Sequence, residues 1–154
     1  MKNIKTISLT GLEGNLIEVQ VDIAGGIPSI DIVGLPDTSV KESKGRIKAA
    51  IKNSGIEFPS RKILINLAPA DTRKEGTSYD LPIAIGILAQ LDVVKTKELE
   101  NTIFIGELSL DGKLNHINGV LPMCIEAFDL GIKRVILPKA NEREASVVKG
   151  LDVI

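Results

Sequence analysis

KILINLAPADTRKEGTSYDLPIAIGILAQ, from Lys62 to Gln90, falls into a strand, a loop and a helix. Lys62 to Pro69 is an apolar run with β-branched content, the pattern of a strand in the interior of a sheet. ADTRKEGT is a polar loop. From Leu81 to Leu91 apolar residues cover nearly every side of the helical wheel, so this helix is central and packed on several sides. A buried strand feeding a buried helix points to an α/β protein. Ser78 stands at the junction, a place for a nucleophile or for an N-cap, because a helix N-terminus offers unpaired N–H groups and a positive dipole end.

Upstream, NLIEVQVDI (Asn15 to Ile23) and SIDIV (Ser29 to Val33) alternate apolar and polar residues as strands do. AGGIP between them predicts an antiparallel hairpin, with Lys5 to Leu9 as a flanking strand, so the chain opens as a β-meander. Asp37 or Ser39, the latter with Glu42 at capping-box spacing, begins an amphipathic helix with Val40, Ile47, Ala50 and Ile51 on its inner face and Gly55 at its end. The outer face carries Lys41, Lys44, Arg46, Lys48 and Lys52 against Glu42. With Arg61 and Lys62 nearby, it reads either as a solvated surface or as a strip for nucleic-acid phosphates.

Downstream, Thr102 to Leu110 and Lys113 to Ile117 read as strands joined at Asp111-Gly112. A helix from Gly119 to Leu130 follows, with Leu121, Cys124, Ile125 and Phe128 as its inward stripe. Lys133 to Leu137 is a strand, Ala140 to Lys149 a helix, and LDVI starts another strand. A stop at that point is expected of the front piece of a longer polypeptide.

With 44% apolar residues, 154 residues suffice for one domain, and aromatics at 3% leave the core to Ile, Leu, Val and Ala. Lys and Arg number 19 against 20 Asp and Glu, a net charge of −1 that gives no global pull toward nucleic acid or membrane. No secretory signal and no apolar run of membrane-spanning length occur, so a cytoplasmic protein without a membrane partner is expected. Cys124 is the one cysteine and His116 the one histidine, which excludes an internal disulfide and argues against a metal site built on those residues. Cys124 belongs to an apolar stripe, and His116 lacks a sequence-level partner for general-base work. Glu142, Arg143 and Glu144 read as a solvated helix face or a subunit contact. No G-x-x-x-x-G-K-[ST] motif occurs, and GLEGN at Gly11 to Asn15 is too short for a phosphate cradle and leads into a strand.

Two segments carry a family resemblance. IGELSLDGKLNHINGVLPMCIEAFDLGIKRVILPKANERE, Ile105 to Glu144, resembles the closing half of the Lon peptidase domain, and KEGTS at Lys74 to Ser78 resembles the loop that holds its serine. VDIAGGIPSIDIVGLPDTSVKESKGRIKAAIKNSG, INLAPAD and KEGTSYDLPIAIGILA make the whole chain similar to the N-terminal domain of the ComM/YifB family of magnesium-chelatase-like AAA+ ATPases. The resemblance implies a Lon-like α/β (α+β) fold, related to domain two of ribosomal small-subunit protein five, with a mixed sheet and a left-handed βαβ crossover.

It also implies a test of Ser78. A Lon-type serine needs a lysine base, which follows a glycine-glycine-leucine turn in that family. The matching stretch here is Asn118-Gly119-Val120-Leu121, and Leu121 occupies the lysine position. Without a base the hydroxyl is a poor nucleophile. The expectation is therefore a non-catalytic Ser78 that caps the central helix, unless Asp80 takes that role, an interaction of about 1 kcal/mol. The alternative is a serine peptidase with a displaced base, for which Lys74 and Lys113 are the nearest lysines. For the whole protein the resemblance implies a ring-forming ATPase acting on DNA, in branch migration during natural transformation. Its ATP and Mg would belong to an AAA+ domain beyond Ile154, with no cofactor here. The present domain would then join subunits of a homo-oligomeric ring or touch DNA through the Lys41 to Lys52 helix and Arg61-Lys62.

Overall fold

The computed structural model describes residues 3–10 and 13–154, so Gly11 and Leu12 of GLEGN lie outside the described residues. Strands β1 (Asn3–Thr10) and β2 (Glu13–Ala24) pair antiparallel, with Ile4 opposite Val19 and Ile7 opposite Leu16. Next come β3 (Ser29–Val33), helix α1 (Thr38–Asn53) and β4 (Lys62–Ala68). Helix α2 (Asp80–Gln90) precedes the short strands β5 (Thr102–Phe104), β6 (Glu107–Leu108) and β7 (Leu114–Asn115). Helix α3 (Val120–Asp129), β8 (Arg134–Ile136), α4 (Glu142–Ala145) and β9 (Asp152–Val153) complete the chain. A mixed seven-stranded sheet has the order β3-β4-β2-β1-β5-β8-β9, and β6 and β7 form a separate two-stranded ribbon.

The expected β-meander is corrected by this order. Gly25 and Gly26 do reverse the chain, but β2 and β3 stand one strand apart, with β4 between them, antiparallel to β2 and parallel to β3. The reason is burial. In β4, Ile63, Ile65 and Leu67 are wholly buried and lie on the face shared with Val19 and Val21, so KILINLA takes the interior position. SIDIV, with Asp31 and Val33 exposed, tolerates an edge. The result is a parallel β3–α1–β4 unit beside an antiparallel β2.

Alternation along the strands divides the core between the faces of the sheet. Ile4, Val19, Val21, Ile63 and Ile65 meet α1 and α2 on one side, where a Cβ at Gly86 would lie 2.8 Å from Val21 Cγ2. Ile7 packs with α3 and α4 on the other. The inward stripe of α3 is Val120, Met123, Cys124 and Ala127, not the expected Leu121, Cys124, Ile125 and Phe128. Ile125 and Phe128 are each 47% exposed. The helix begins after Gly119 at φ 79, which turns its face so that small Cys124 and Ala127 meet the sheet and the bulky side chains point outward. The expected helix from Ala140 to Lys149 shortens to a 3-10 turn (Lys139–Asn141) and α4. Ser146 Oγ donates to the Glu142 carbonyl at 2.7 Å and competes with further helical bonding.

The strand expected from Thr102 to Leu110 breaks at Ile105-Gly106. The Gly106 N–H donates to the Ser78 carbonyl at 3.1 Å, and the Leu81 N–H donates to the Gly106 carbonyl at 3.0 Å. These bonds bring the β6–β7 ribbon against the start of α2.

Candidate functional site

The serine loop is fastened to the start of α1. Asp37 caps α1, its Oδ1 accepting from the Val40 N–H at 2.8 Å, while its Oδ2 accepts from the Gly76 N–H at 3.3 Å. The Lys74 N–H donates to the Leu35 carbonyl, and the Asp37 N–H donates to the Lys74 carbonyl, both at 2.9 Å. Of the alternatives in the sequence, Asp37 and not Ser39 is the cap. The Lys74 side chain is wholly buried and its ammonium donates to the Pro69 carbonyl. Burial holds its pKa below the ordinary lysine value, against a smaller opposing pull from Asp71. The amine is thereby turned to a backbone carbonyl.

Neither expected cap forms on α2. Tyr79 holds the N-cap position, and no side chain makes a cap hydrogen bond there. Asp80 instead faces inward as a wholly buried carboxylate. Its Oδ2 accepts from Arg46 Nε at 2.6 Å and from the Leu108 N–H at 3.0 Å, and its Oδ1 accepts from Arg46 Nη2 at 3.0 Å. Arg46 also donates to the Ser39 carbonyl at 3.2 Å. Burial raises the Asp80 pKa, opposed by these hydrogen bonds, and the bond to Asp80 raises that of Arg46. Arg46 therefore leaves the basic strip and ties α1 to α2 and the ribbon, because a buried carboxylate requires a partner. A sequence signal existed: an acid at the head of an all-apolar helix calls for a buried cation.

Ser78 opens on a cleft of about 340 Å³ lined by Ser8, Glu75, Thr77, Ser78, Glu107 and His116, among others. His116, solitary in the sequence, shares this cleft with Ser78 and Glu107 because the Gly106–Ser78 and Leu81–Gly106 hydrogen bonds hold the ribbon at the start of α2. No local pattern announces that meeting. Hydrogen bonds from Asn115 and Thr77 hold the Glu107 pKa below the ordinary carboxylate value. No lysine lines the cleft among the described residues. Leu121 is half-buried at the start of α3, its N–H donating to Glu144 Oε1 at 3.0 Å. Lys113 is exposed in the β6–β7 turn. Glu144 thus joins α4 to α3, while Glu142 and Arg143 are exposed.

A larger groove, about 840 Å³, runs between α1 and the segment 55–61. Lys44, Lys48, Lys52 and Arg61 stand around it, and Ile30, Ile56 and Phe58 supply apolar lining. Lys48 Nζ is 5.9 Å from the centroid of the Phe58 ring. Lys41 and Lys62 are exposed beyond the groove. Among the described residues, no group of three or more His, Cys, Asp or Glu is placed to hold a metal ion, and no helix is long and apolar enough to cross a membrane. Cys124 is buried, and burial pushes its pKa up to about 11.

Residues 19–141 match the family described as subunit ChlI of Mg-chelatase. The chain is 42% identical over 147 residues to the YifB protein of Escherichia coli (strain K12), covering 96% of this chain and 29% of that protein. It is 40% identical over 138 residues to competence protein ComM of Haemophilus influenzae, covering 90% of this chain and 27% of that one. A weaker similarity, 26% over 158 residues, joins it to Lon protease 2 of Bacillus subtilis, with 92% of this chain and 28% of the protease covered. The chain thus spans under a third of the length of these relatives.

Proposed function

Since the chain belongs to the family of Mg-chelatase subunit ChlI, with YifB and ComM among its relatives, we propose that it is a non-catalytic accessory domain of an AAA+ ATPase that acts on DNA. ATP and Mg are assigned to a separate ATPase part, and this domain contributes a contact to DNA within a homo-oligomeric ring. The observation that carries the reading is the row of Lys44, Lys48 and Lys52 along an open groove, none in an ion pair among the described residues. Such unneutralised cations release counterions when phosphates bind.

Changing Lys41, Lys44, Lys48 and Lys52 together to Glu tests this in the full-length protein. DNA affinity should fall steeply and its salt dependence flatten, while assembly measured by light scattering stays intact. Normal DNA binding by that variant, with assembly lost on changing Ile125 and Phe128 to Asp, would instead favour subunit contact as the domain's role. That second reading draws on Ile125 and Phe128, which leave α3 with apolar side chains facing outward. The peptidase reading draws on the shared cleft of Ser78, His116 and Glu107. It predicts that a fluorophosphonate probe labels Ser78, and the proposal predicts none. Ser78→Ala should leave stability within about 0.5 kcal/mol, as its hydroxyl forms no hydrogen bond among the described residues.

A further inference from the structure

We infer that the groove between α1 and residues 55–61 takes single-stranded nucleic acid, with an unstacked base against Phe58 and the backbone along α1. This rests on the DNA reading above and deepens it by choosing the strand form. Lys44, Lys48 and Lys52 recur at intervals of one helical turn, so they lie on one stripe with about 6 Å of rise between neighbours. That interval suits successive phosphates of an extended strand. Arg61 stands across the groove from them, so cations flank the path on both sides.

The floor distinguishes a single strand from a duplex. Ile30, Ile56 and Phe58 are each only partly buried and line an open concavity. In a duplex the bases are stacked and paired inside, so these side chains would gain no partner from it. An unstacked base presents a π-face, and stacking on an aromatic ring is the sequence-tolerant contact that single-strand binders use. Lys48 places its ammonium 5.9 Å from the Phe58 ring centroid, so base stacking and phosphate neutralisation fall at one point. Glu57 is the acidic side chain in the lining, set against these cations, and the balance favours an anionic occupant.

The test measures binding of a fluorescent thymidine oligonucleotide and of a duplex of equal length to the full-length protein across a salt series. The single strand should bind more tightly. Phe58→Leu should weaken single-strand binding roughly tenfold and leave the duplex unchanged. Lys48→Gln should lower the salt slope by about 0.7 on the single strand. Residues 1–154 contain no Trp, so Phe58→Trp adds a reporter to the groove, and its fluorescence, read as the difference from the parent protein, should be quenched by the oligonucleotide even if the Leu variant folds poorly. Equal affinity for both forms, with no effect of Phe58→Leu and no quenching of the Trp variant, would overturn the inference while leaving a DNA contact standing. Binding of neither nucleic acid would remove both readings. Displacement of the oligonucleotide by poly-glutamate at equal charge concentration would also overturn it, by assigning the groove to an acidic protein segment.

Discussion

Replacing Arg46 by Ala would leave the Asp80 carboxylate at 0% side-chain exposure with the Leu108 N–H as its one remaining donor among the described residues. Removing one partner of a buried pair costs roughly 3–5 kcal/mol. The Arg46 side chain is 23% exposed, so water can reach part of the vacated space and the lower end applies, about 3 kcal/mol. At 2–4 °C per kcal/mol for a chain of this size, Tm should fall by roughly 6–12 °C. Asp80→Asn should cost less, because the arginine left behind can still reach solvent. The pH dependence supplies a second readout. Asp80 titrates above the ordinary carboxylate value, so the folded chain holds its proton more readily than the unfolded chain. Its contribution is fully present at acid pH and is lost as pH rises through the folded pKa. Without Arg46 that pKa rises further, so the deficit of Arg46→Ala should be largest at neutral pH and shrink as the solution is acidified through it. Urea titrations followed by circular dichroism at both pH values, in a double-mutant cycle with Asp80→Asn, measure this. A cost below about 1 kcal/mol at neutral pH, or one that does not shrink in acid, would refute the argument.

Gly34 has φ 104, and a Cβ there would lie 2.3 Å from the Leu67 carbonyl oxygen. Gly34→Ala should therefore destabilise by roughly 3 kcal/mol or more in urea titration, whereas Gly76→Ala, with φ 92 but open space, should cost about 1–2 kcal/mol. Lys74 has a depressed pKa in the fold, so stability should rise as pH climbs through it toward the ordinary value of 10.5. Lys74→Met should flatten that alkaline rise in Tm. Cys124, with its pKa near 11 and no exposure, should resist a thiol-specific disulfide reagent in the folded chain and react at the rate of unfolding.

Much of the architecture is legible in local patterns. The interior strand at Lys62, the central helix at Leu81 and the α1 face of Val40, Ile47, Ala50 and Ile51 all stand where periodicity puts them. Strand pairing was less legible, because AGGIP specifies a reversal of direction and says nothing about what enters the gap it leaves. The buried stripe of α3 is offset by one residue from the strongest hydrophobic pattern, with Cys124 common to both. Leu121, Ile125 and Phe128 are the more hydrophobic set, but closeness to the sheet favours small Cys124 and Ala127. Arg46 looked like its lysine neighbours, and only the buried acid on α2 separates it from them. His116 and Ser78 are far apart in sequence, so their shared cleft follows from the ribbon's placement and not from spacing.

The seat of β4 between β2 and β3 has a kinetic consequence. During synthesis, the first three strands emerge before the one that must separate two of them, and their alternating patterns are compatible with direct pairing. An early β2–β3 hairpin would have to open before β4 could enter. Contacts that span long stretches of chain slow folding, and unpaired edges in the meantime invite association. Refolding should accordingly be slower than the short helical connections alone suggest, with the rate governed by arrival of Lys62–Ala68 rather than by formation of the helices.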